Sequence, residues 1–238
     1  AAGSGTGKST ICREFAHHFL KNKLTVGYIA LEESVQRTMQ GILGIELNKP
    51  LHLEDNIEDI DELKVAFDRL FGTEKLFLYD HFGSLDPDRL IEQIQYMATA
   101  EGVDVVILDH LTIVVSGLAD VDERRAIDIT CTKLRQVVES TGVALILVSH
   151  LRRPQGVSHE QGQQVSTSDL RGSSAILQLS DLCISAERNQ QGDPGERSEL
   201  QLRVLKNRHT GMTGPIDKLL YDQNTGRLSI PMSTYFGA

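Results

Sequence analysis

Short apolar runs alternate along the chain with segments whose apolar positions recur every three or four residues. The first pattern predicts buried strands and the second predicts amphipathic helices. The predicted strands are 24–31, 76–80, 103–110, 143–150, 182–187 and 199–208. The predicted helices are 8–20, 34–43, 54–71, a segment that starts at Asp86-Pro87, 122–140 and 169–181.

This alternation predicts an α/β fold, with a mostly parallel sheet and helices on both of its faces. The segment 217–230 alternates around Asn-Thr-Gly, which predicts a C-terminal antiparallel hairpin. The polar stretch 152–168 is predicted to be a long loop. No composition shift divides the chain, so residues 1–238 are interpreted as a single domain.

Composition and charge narrow the possible functions. No run of 18 apolar residues occurs, which argues against a membrane-spanning helix. The formal net charge of -9 argues against a surface coated with basic residues for nucleic acid, but leaves room for a local basic groove. Cys12, Cys131 and Cys183 lie far apart in apolar surroundings, which favours buried residues in a reducing compartment over a zinc site.

A glycine-rich segment with a lysine, AGSGTGKST at 2–10, leads into the first predicted helix. Gly7, Lys8 and Ser9 fit the phosphate-loop pattern, whereas Ala2 occupies the position of its first glycine. Such a loop turns backbone N–H groups toward phosphate oxygens, the lysine reaches the β- and γ-phosphates, and the serine binds magnesium. A flexible glycine-rich terminus is the alternative. The candidate nucleotide-binding residues are Gly3, Ser4, Gly5, Thr6, Gly7, Lys8, Ser9 and Thr10.

Polar side chains end several of the predicted strands. Asp109 follows VVIL, where a carboxylate can hold magnesium beside a phosphate loop or can simply cap a turn. Glu32 and Glu33 are adjacent and point in different directions, so at most one orients a water for attack on a γ-phosphate. The alternative to this catalytic role is that both acids lie at the start of a helix, where the helix dipole favours them. His150 ends VALILVSH, where it either contacts the γ-phosphate or is an ordinary histidine at a sheet edge.

Two pairs of basic residues stand at the ends of predicted elements. Arg152 and Arg153 begin the long loop, where they suit a nucleic-acid backbone, although the loop has few cations and no aromatic residue for base stacking. Lys206 and Arg208 lie in LKNRHTG after a strand. An arginine in that place can stabilise transition-state charge, and a surface cation pair is the alternative.

Several motifs in the same order resemble the helicase domain of phage replicative primase-helicases, and the likeness covers essentially the whole chain. They are GSGTGKST, LEES (31–34), ILDHLTIVVS (107–116), SHLRRP (149–154), SDLRGSSAILQLSD (168–181), ERNQQGD (187–193) and LKNRHTG (205–211). These helicases belong to the DnaB-like ring helicases, which include mitochondrial Twinkle. The resemblance implies a RecA-like P-loop NTPase core, a homo-hexameric ring, and single-stranded DNA in its channel.

Within one subunit, the resemblance implies that Lys8 and Ser9 bind the phosphates and Mg²⁺ of an NTP, either ATP or a dTTP-type nucleotide. Asp109 would be the second magnesium residue. Glu33, the second acid of the pair, would be the catalytic base. His150 would sense the γ-phosphate.

Between subunits, the resemblance implies that Arg208 reaches into the neighbour's site with Lys206 beside it. The loops that follow Asp109 and His150 would line the channel, and the polar run around Asn189 would lie near the nucleotide. Arg171 and Gln178 would couple DNA contact to the nucleotide site. The residues assigned to DNA are Arg152, Arg153, Arg171 and Gln178.

The resulting hypothesis is a replicative DNA helicase that moves 5′ to 3′ with replisome partners such as a DNA polymerase. Its expected location is the host cytoplasm if it is phage-encoded, or the mitochondrion if it is Twinkle-like. Because no strand precedes the phosphate loop, the chain is predicted to be a fragment that lacks the first strand, the primase domain and the linker. The alternative is a RecA-fold DNA-dependent ATPase in a recombinase filament or regulatory assembly.

Overall fold

The computed structural model describes residues 1–3, 5–53, 59–116, 122–152, 158–170 and 174–231. Its helices are α1 (Lys8–Lys21), α2 (Val35–Leu47), α3 (Ile60–Phe71), α4 (Pro87–Thr99), α5 (Leu111–Ser116), α6 (Glu123–Thr141), α7 (Ser174–Leu179) and α8 (Pro194–Ser198). Its strands are β1 (Val26–Ala30), β2 (Leu76–Leu78), β3 (Val105–Asp109), β4 (Ala144–Leu147), β5 (Leu182–Glu187), β6 (Glu199–Asn207), β7 (Gly214–Tyr221) and β8 (Leu228–Ser229).

The strands form two four-stranded sheets. The first has the order β2-β1-β3-β4, and all of its pairs are parallel. Its register pairs Ala30 with Asp109 and Leu108 with Leu147, so the carboxyl ends of β1, β3 and β4 meet at one edge. The second sheet has the order β5-β6-β7-β8 and is antiparallel, so the expected C-terminal hairpin β7–β8 is part of a larger sheet.

Helices cover both faces of the parallel sheet, as the apolar runs predicted. Tyr28 and Ile107 pack with α1, α2 and α3 on one face. Ile29 and Val106 pack with α4, α5 and α6 on the other. Successive residues of a strand point to opposite faces, so a strand covered on both sides must be apolar throughout.

Helix starts follow local capping chemistry. The side chain of Ser34 accepts a hydrogen bond from Arg37 N, which confirms it as the N-cap of α2. Asp86 caps α4, whose first residue is Pro87. Asp59 caps α3, and acidic residues follow it in the first turn, where they suit the helix dipole.

Residues 169–181 do not form one helix, contrary to the sequence prediction. Asp169 ends a 3₁₀ turn, Leu170 bridges to Leu151, and α7 begins only at Ser174. The cause is local, because the carboxylate of Asp169 accepts from both the backbone N–H and the hydroxyl of Ser166 and so closes a capping box.

The segment after Asp109 was expected to be a loop, and this expectation is wrong for its first part. Leu111–Ser116 form α5, and Leu111 and Val114 are buried in the core between α4 and α6. The side chains of Leu111 and Val114 therefore continue the core instead of facing a channel. Residues 117–121 lie outside the described residues.

The first two residues of the chain connect the sheets. Ala2 bridges to His150 after β4 and to Ala186 in β5. Ala1 donates its N-terminal N–H to Ile184 O at 2.7 Å. A largely apolar cleft of about 550 Å³ runs between β4 and β5 beside these residues. That the chain lacks the first strand of the fold, before the phosphate loop, stays a prediction.

No helix within the described ranges combines the length and the apolar character needed to cross a membrane.

The C-terminal sheet is fastened to α1 by Glu14. Its carboxylate accepts from Arg227 Nε at 3.0 Å, Arg227 Nη2 at 3.1 Å and Leu228 N at 3.0 Å.

Glu14→Gln removes the charge from this bidentate pair, so we expect the free energy of unfolding to fall by about 1–3 kcal/mol. Chemical denaturation measures it. The matched control is Glu199→Gln, which breaks an exposed pair with Lys218 and should cost less than about 0.5 kcal/mol. Equal losses would contradict the assigned role of Glu14.

Candidate active site

The glycine-rich segment forms a tight loop before α1. Gly7 is the N-cap of α1 with φ of 102°, and Gly5 has φ of 65°. These are left-handed conformations that favour glycine. Thr6 is buried and its hydroxyl donates to Gly3 O at 3.0 Å, which closes the loop. The N-terminal N–H groups of α1 therefore face the loop, as an anion site requires. Ser4 lies outside the described residues.

Lys8 lies over this loop and not in solvent. Its ammonium donates to Gly3 O at 2.6 Å and approaches Ala2 O at 3.4 Å. Burial lowers the pKa of Lys8, and the charge of Asp109 opposes that shift. A phosphate at the loop would offer this half-buried cation a full negative charge in place of carbonyl dipoles.

Ser9 and Asp109 meet across the sheet edge. The Ser9 hydroxyl donates to Asp109 Oδ2 at 2.7 Å, although the residues come from α1 and β3. Asp109 is buried, and burial raises its pKa, while the bond from Ser9 and the charges of His110 and Lys8 act against the rise. A hydroxyl beside a carboxylate forms an oxygen set that suits Mg²⁺, so these residues fit the predicted magnesium site.

Glu33 is held by two residues that the sequence analysis did not single out. Arg13 Nη2 donates to Glu33 Oε2 at 2.6 Å, and the Thr38 hydroxyl donates to Oε1 at 2.8 Å. Gly41 makes space for the arginine, since a Cβ there would lie 2.4 Å from Arg13 Nε. The available signal was an arginine on the apolar face of α1, among Cys12, Ala16 and Leu20.

The two adjacent glutamates do point in different directions. Glu33 turns toward α1 and α2, whereas Glu32 Oε1 lies 2.9 Å from His110 Nε2. The His110 ring in turn contacts the His150 ring edge to face, with 4.1 Å between centroids. Neither His110 nor this contact was predicted from the sequence.

A crevice of about 350 Å³ opens between these groups. It is lined by Ser9, Arg13, Ala30, Glu32, Glu33, Arg37, His52 and Asp109. Burial, together with the charges of Arg13 and Arg37, lowers the pKa of His52 to about 4. The imidazole is therefore neutral at pH 7.

A polar segment borders the phosphate loop from the C-terminal half. The side-chain amide of Gln190 lies against Gly5, at 3.3 Å from where a Cβ of that glycine would be. Gln190 N also donates to Glu160 O, and Gln161 bridges to Asn189. The ERNQQ run therefore does lie beside the loop, as expected for the surroundings of Asn189.

Lys206 and Arg208 lie at the C-terminal end of α7. Lys206 Nζ donates to Leu177 O at 2.6 Å and to Gln178 O at 2.9 Å. Arg208 binds Gln178 O at 3.0 Å and Asp181 Oδ1 at 2.9 Å. Their hydrogen bonds thus go to this helix end and not to the phosphate loop of the same chain. The Arg208 side chain keeps 43% of its surface exposed.

Two of the four residues assigned to DNA, Arg152 and Gln178, lie within the described part of the chain. Arg152 is exposed, and its backbone N–H donates to Asp169 O at 2.7 Å. Gln178 is exposed on α7. Arg153 and Arg171 lie outside the described residues, so their assignment stays a prediction.

The comparisons with known proteins agree with this arrangement. Residues 1–229 match the model of the family described as the DnaB-like helicase C-terminal domain. The chain belongs to this family.

Two curated proteins are similar to this DnaB-like chain. The DNA helicase/primase of Enterobacteria phage T3 is 43% identical over 248 residues, which cover 99% of this chain and 42% of the relative. A probable plasmid replicative DNA helicase of Chlamydia psittaci is 23% identical over 239 residues, which cover 97% of this chain and 50% of the relative. The chain thus spans half or less of the length of these curated relatives.

Solved structures show the fold of the DnaB-like domain. One of them, described as an ATPase domain, has a TM-score of 0.79 at 18% identity, covering 97% of this chain and 83% of that chain. A DnaB-like replicative helicase, described with its interactions with primase, has a TM-score of 0.78 at 18% identity, covering 96% and 55%. The expected RecA-like α/β core is confirmed by these matches.

The buried carboxylate of Asp109 should make this DnaB-like domain less stable at pH 7 than a variant with a neutral side chain at this position. Because burial raises its pKa above the ordinary 3.8, ionising Asp109 costs more in the folded protein than in the unfolded chain. We expect Asp109→Asn to raise the free energy of unfolding at pH 7, measured by denaturation without nucleotide. The gain should vanish as pH falls below 3.8, where the wild-type carboxyl is protonated in both states.

The matched control for this pH series is Asp86→Asn, because asparagine caps a helix as well as aspartate does. It should leave stability nearly unchanged at pH 7. A destabilised Asp109→Asn protein at pH 7 would contradict the cost assigned to the buried charge.

Proposed function

We propose that this DnaB-like domain hydrolyses an NTP and uses the energy to move along single-stranded DNA, as the motor of a replicative helicase. The observation that carries the proposal is that Ser9, Glu33 and Asp109 line one crevice at the carboxyl edge of the parallel sheet, with Lys8 on the adjoining loop and His150 after β4. This edge is where ligands bind in open α/β sheets. The names of the phage and plasmid relatives, helicase/primase and replicative helicase, support the same function.

The nucleotide would lie over the loop before α1, with its phosphates on the N–H groups of Gly5, Gly7 and the first turn. Lys8 would exchange its carbonyl partners for the β- and γ-phosphates. Mg²⁺, when bound, neutralises phosphate charge, and Ser9 and Asp109 are the oxygen residues placed to hold it. Both ATP and a dTTP-type nucleotide fit this description, because the named contacts involve phosphates and not the base.

Glu33 is our candidate for the residue that orients the attacking water. Arg13 and Thr38 occupy both of its oxygens, so its direction is fixed and its charge is compensated. A general base must be held within reach of the proton it accepts, and the two hydrogen bonds from Arg13 and Thr38 hold Glu33 in place. His150 follows β4, on the far side of β3 from Glu33, and would donate to the γ-phosphate.

Arg208 would complete the site of an adjacent subunit. Its guanidinium is partly exposed and follows the C-terminal end of β6, with Lys206 bonded beside it to the end of α7. A homo-hexameric ring provides the head-to-tail interface that such a contribution requires. Arginine supplied across an interface stabilises charge in phosphoryl transfer.

DNA would pass through the ring channel, where Arg152, Arg153, Arg171 and Gln178 are the residues proposed to respond to it. The net charge of -9 fits a protein whose DNA contacts are confined to a channel. Translocation 5′ to 3′, replisome partners such as a primase or DNA polymerase, and a place in the host-cell cytoplasm complete the proposal. The solved DnaB-like helicase described with primase supports the choice of partner.

The assignment of Glu33 is tested by Glu33→Gln. We expect steady-state NTP hydrolysis to fall roughly 10²–10⁴-fold with nucleotide binding retained, because the amide cannot accept the proton of water. Glu199→Gln, in an exposed pair of the C-terminal sheet, should hydrolyse at the wild-type rate. If Glu32→Gln is inactive and Glu33→Gln is not, the base is Glu32.

The motor itself is tested on the full-length protein by hydrolysis with and without single-stranded DNA, using wild type, Arg208→Ala and mixtures of the two. We expect DNA to stimulate hydrolysis, Arg208→Ala to lose roughly 10³-fold or more with binding intact, and mixtures to fall below the weighted average. Arg89→Ala, an exposed arginine of α4, is the control.

Asp181→Asn separates the two roles that Arg208 could play. It removes the ion pair within the chain but leaves the arginine. A loss equal to that of Arg208→Ala would indicate a structural role. If DNA has no effect and Arg208→Ala is neutral, a regulatory ATPase becomes the better account, and an open filament in electron micrographs would favour the recombinase-type assembly.

A further inference from the structure

Three side chains beside the nucleotide crevice form a cluster that the proposed hydrolysis does not fully explain. Glu32, His110 and His150 follow β1, β3 and β4, which are neighbours in the sheet. Each offers one ligand atom, and these atoms all lie within 4.8 Å of one another. We propose that Glu32, His110 and His150 bind a borderline transition-metal dication, such as Zn²⁺ or Co²⁺.

His110 is the centre of the argument because it is buried and its ring nitrogens differ. Nδ1 is 2.7 Å from the Thr112 hydroxyl. Nε2 has Glu32 Oε1 at 2.9 Å, but the contact lacks the direction of a hydrogen bond, so within the described chain Nε2 is buried without a hydrogen-bond partner. If Nδ1–H donates to Thr112, Nε2 carries the lone pair that a metal needs, and the ring orientation is fixed.

The donor set selects the class of metal. Two imidazole nitrogens and one carboxylate oxygen are typical ligands of zinc, with a fourth position left open. Mg²⁺ prefers oxygen atoms and fits the separate pair of Ser9 and Asp109.

The geometry requires little movement. Tetrahedral bonds of about 2.0–2.1 Å place ligand atoms roughly 3.3 Å apart, which is close to the Glu32–His110 separation already present. His150 is half-buried with its ring edge-to-face on His110, so a rotation of its side chain brings a nitrogen closer. The three strands that lead into these residues are paired in parallel as far as Ala30–Asp109 and Leu108–Leu147, so the residues that follow them emerge at one edge.

The site has a consequence that rests on the proposed function. His150 is assigned to the γ-phosphate, and a metal that binds its nitrogen would withdraw it from that contact. Zinc should therefore inhibit hydrolysis, and bound NTP should weaken metal binding by the same coupling factor.

Metal binding is tested without any activity measurement. The purified protein, stripped with a chelator, is titrated with Co²⁺ while the visible absorbance of tetrahedral cobalt is followed. We expect one Co²⁺ per chain for the wild type. Glu32→Gln and His150→Asn should each weaken binding at least about 100-fold, because altering even an outer partner of a metal ligand costs about 10–100-fold.

The matched control is His17→Gln. His17 Nε2 also lies 2.8 Å from a glutamate oxygen, but Glu46 is shared with Lys21 and Arg69, and no second histidine among the described residues completes the set. This variant should keep the cobalt signal. Absence of visible bands in the wild type, or their loss in His17→Gln but not in Glu32→Gln, would overturn the site and leave Glu32–His110 as an ion pair.

The regulatory consequence is measured afterwards as Zn²⁺ inhibition of NTP hydrolysis. Wild type should be inhibited with a midpoint that rises with NTP, and Glu32→Gln should require at least about tenfold more Zn²⁺. Cobalt binding without zinc inhibition would overturn the coupling to His150. A protein that binds cobalt but hydrolyses no NTP even without zinc would overturn the proposed function and leave the metal site standing.

Discussion

The parallel register of β1, β3 and β4 is the constraint on which the candidate site depends. It brings Ala30 opposite Asp109 and Leu108 opposite Leu147, so the residues that follow each strand emerge at the same edge. Glu32, Glu33 and Asp109 therefore line one crevice, and His110 and His150 lie beside Glu32 at the same edge, although more than a hundred residues separate the first from the last. A shift of one residue would turn every strand side chain to the opposite face and would misalign the residues that follow the strands.

Charge compensation is the second condition that this edge must meet, because a buried carboxylate without partners is costly. The domain meets it differently for each acid. Glu33 has Arg13 and Thr38, and Asp109 has the Ser9 hydroxyl with Lys8 near enough to influence its pKa. The pKa of Asp109 stays raised, so compensation there is incomplete. A bound cation can stabilise a carboxylate whose charge is incompletely compensated. The cost of the Asp109 charge to folding is therefore consistent with its proposed role as a magnesium ligand.

The sequence predicted the fold well because most of its signals are local. An apolar run such as VVILD, rich in β-branched residues, favours a strand covered on both sides, and a carboxylate at the end of a parallel strand lies at the ligand-binding edge. Some of what the sequence did not predict depends on tertiary contacts. The burial of Arg13 depends on its pairing with Glu33 and on the space that Gly41 leaves for its side chain. The pairing of Arg208 with Asp181 depends on how α7 packs against β6. The helix α5 was missed because its LTIVVS pattern is too short to show helical periodicity.

Lys8, Asp109 and Arg208 each already have a partner within the chain, and this pairing suggests how nucleotide and neighbour could act together. Lys8 donates to loop carbonyls, Asp109 accepts from Ser9, and Arg208 binds Asp181, which Arg135 also binds. The bond from Arg135 is the main cause of the lowered pKa of Asp181, so that carboxylate stays ionised and compensated even if Arg208 leaves. If Arg208 moves toward an adjacent subunit, the carboxylate of Asp181 is therefore not left without a partner. A shared aspartate of this kind lets an arginine change partners at low cost, as the proposed contribution of Arg208 to an adjacent site requires.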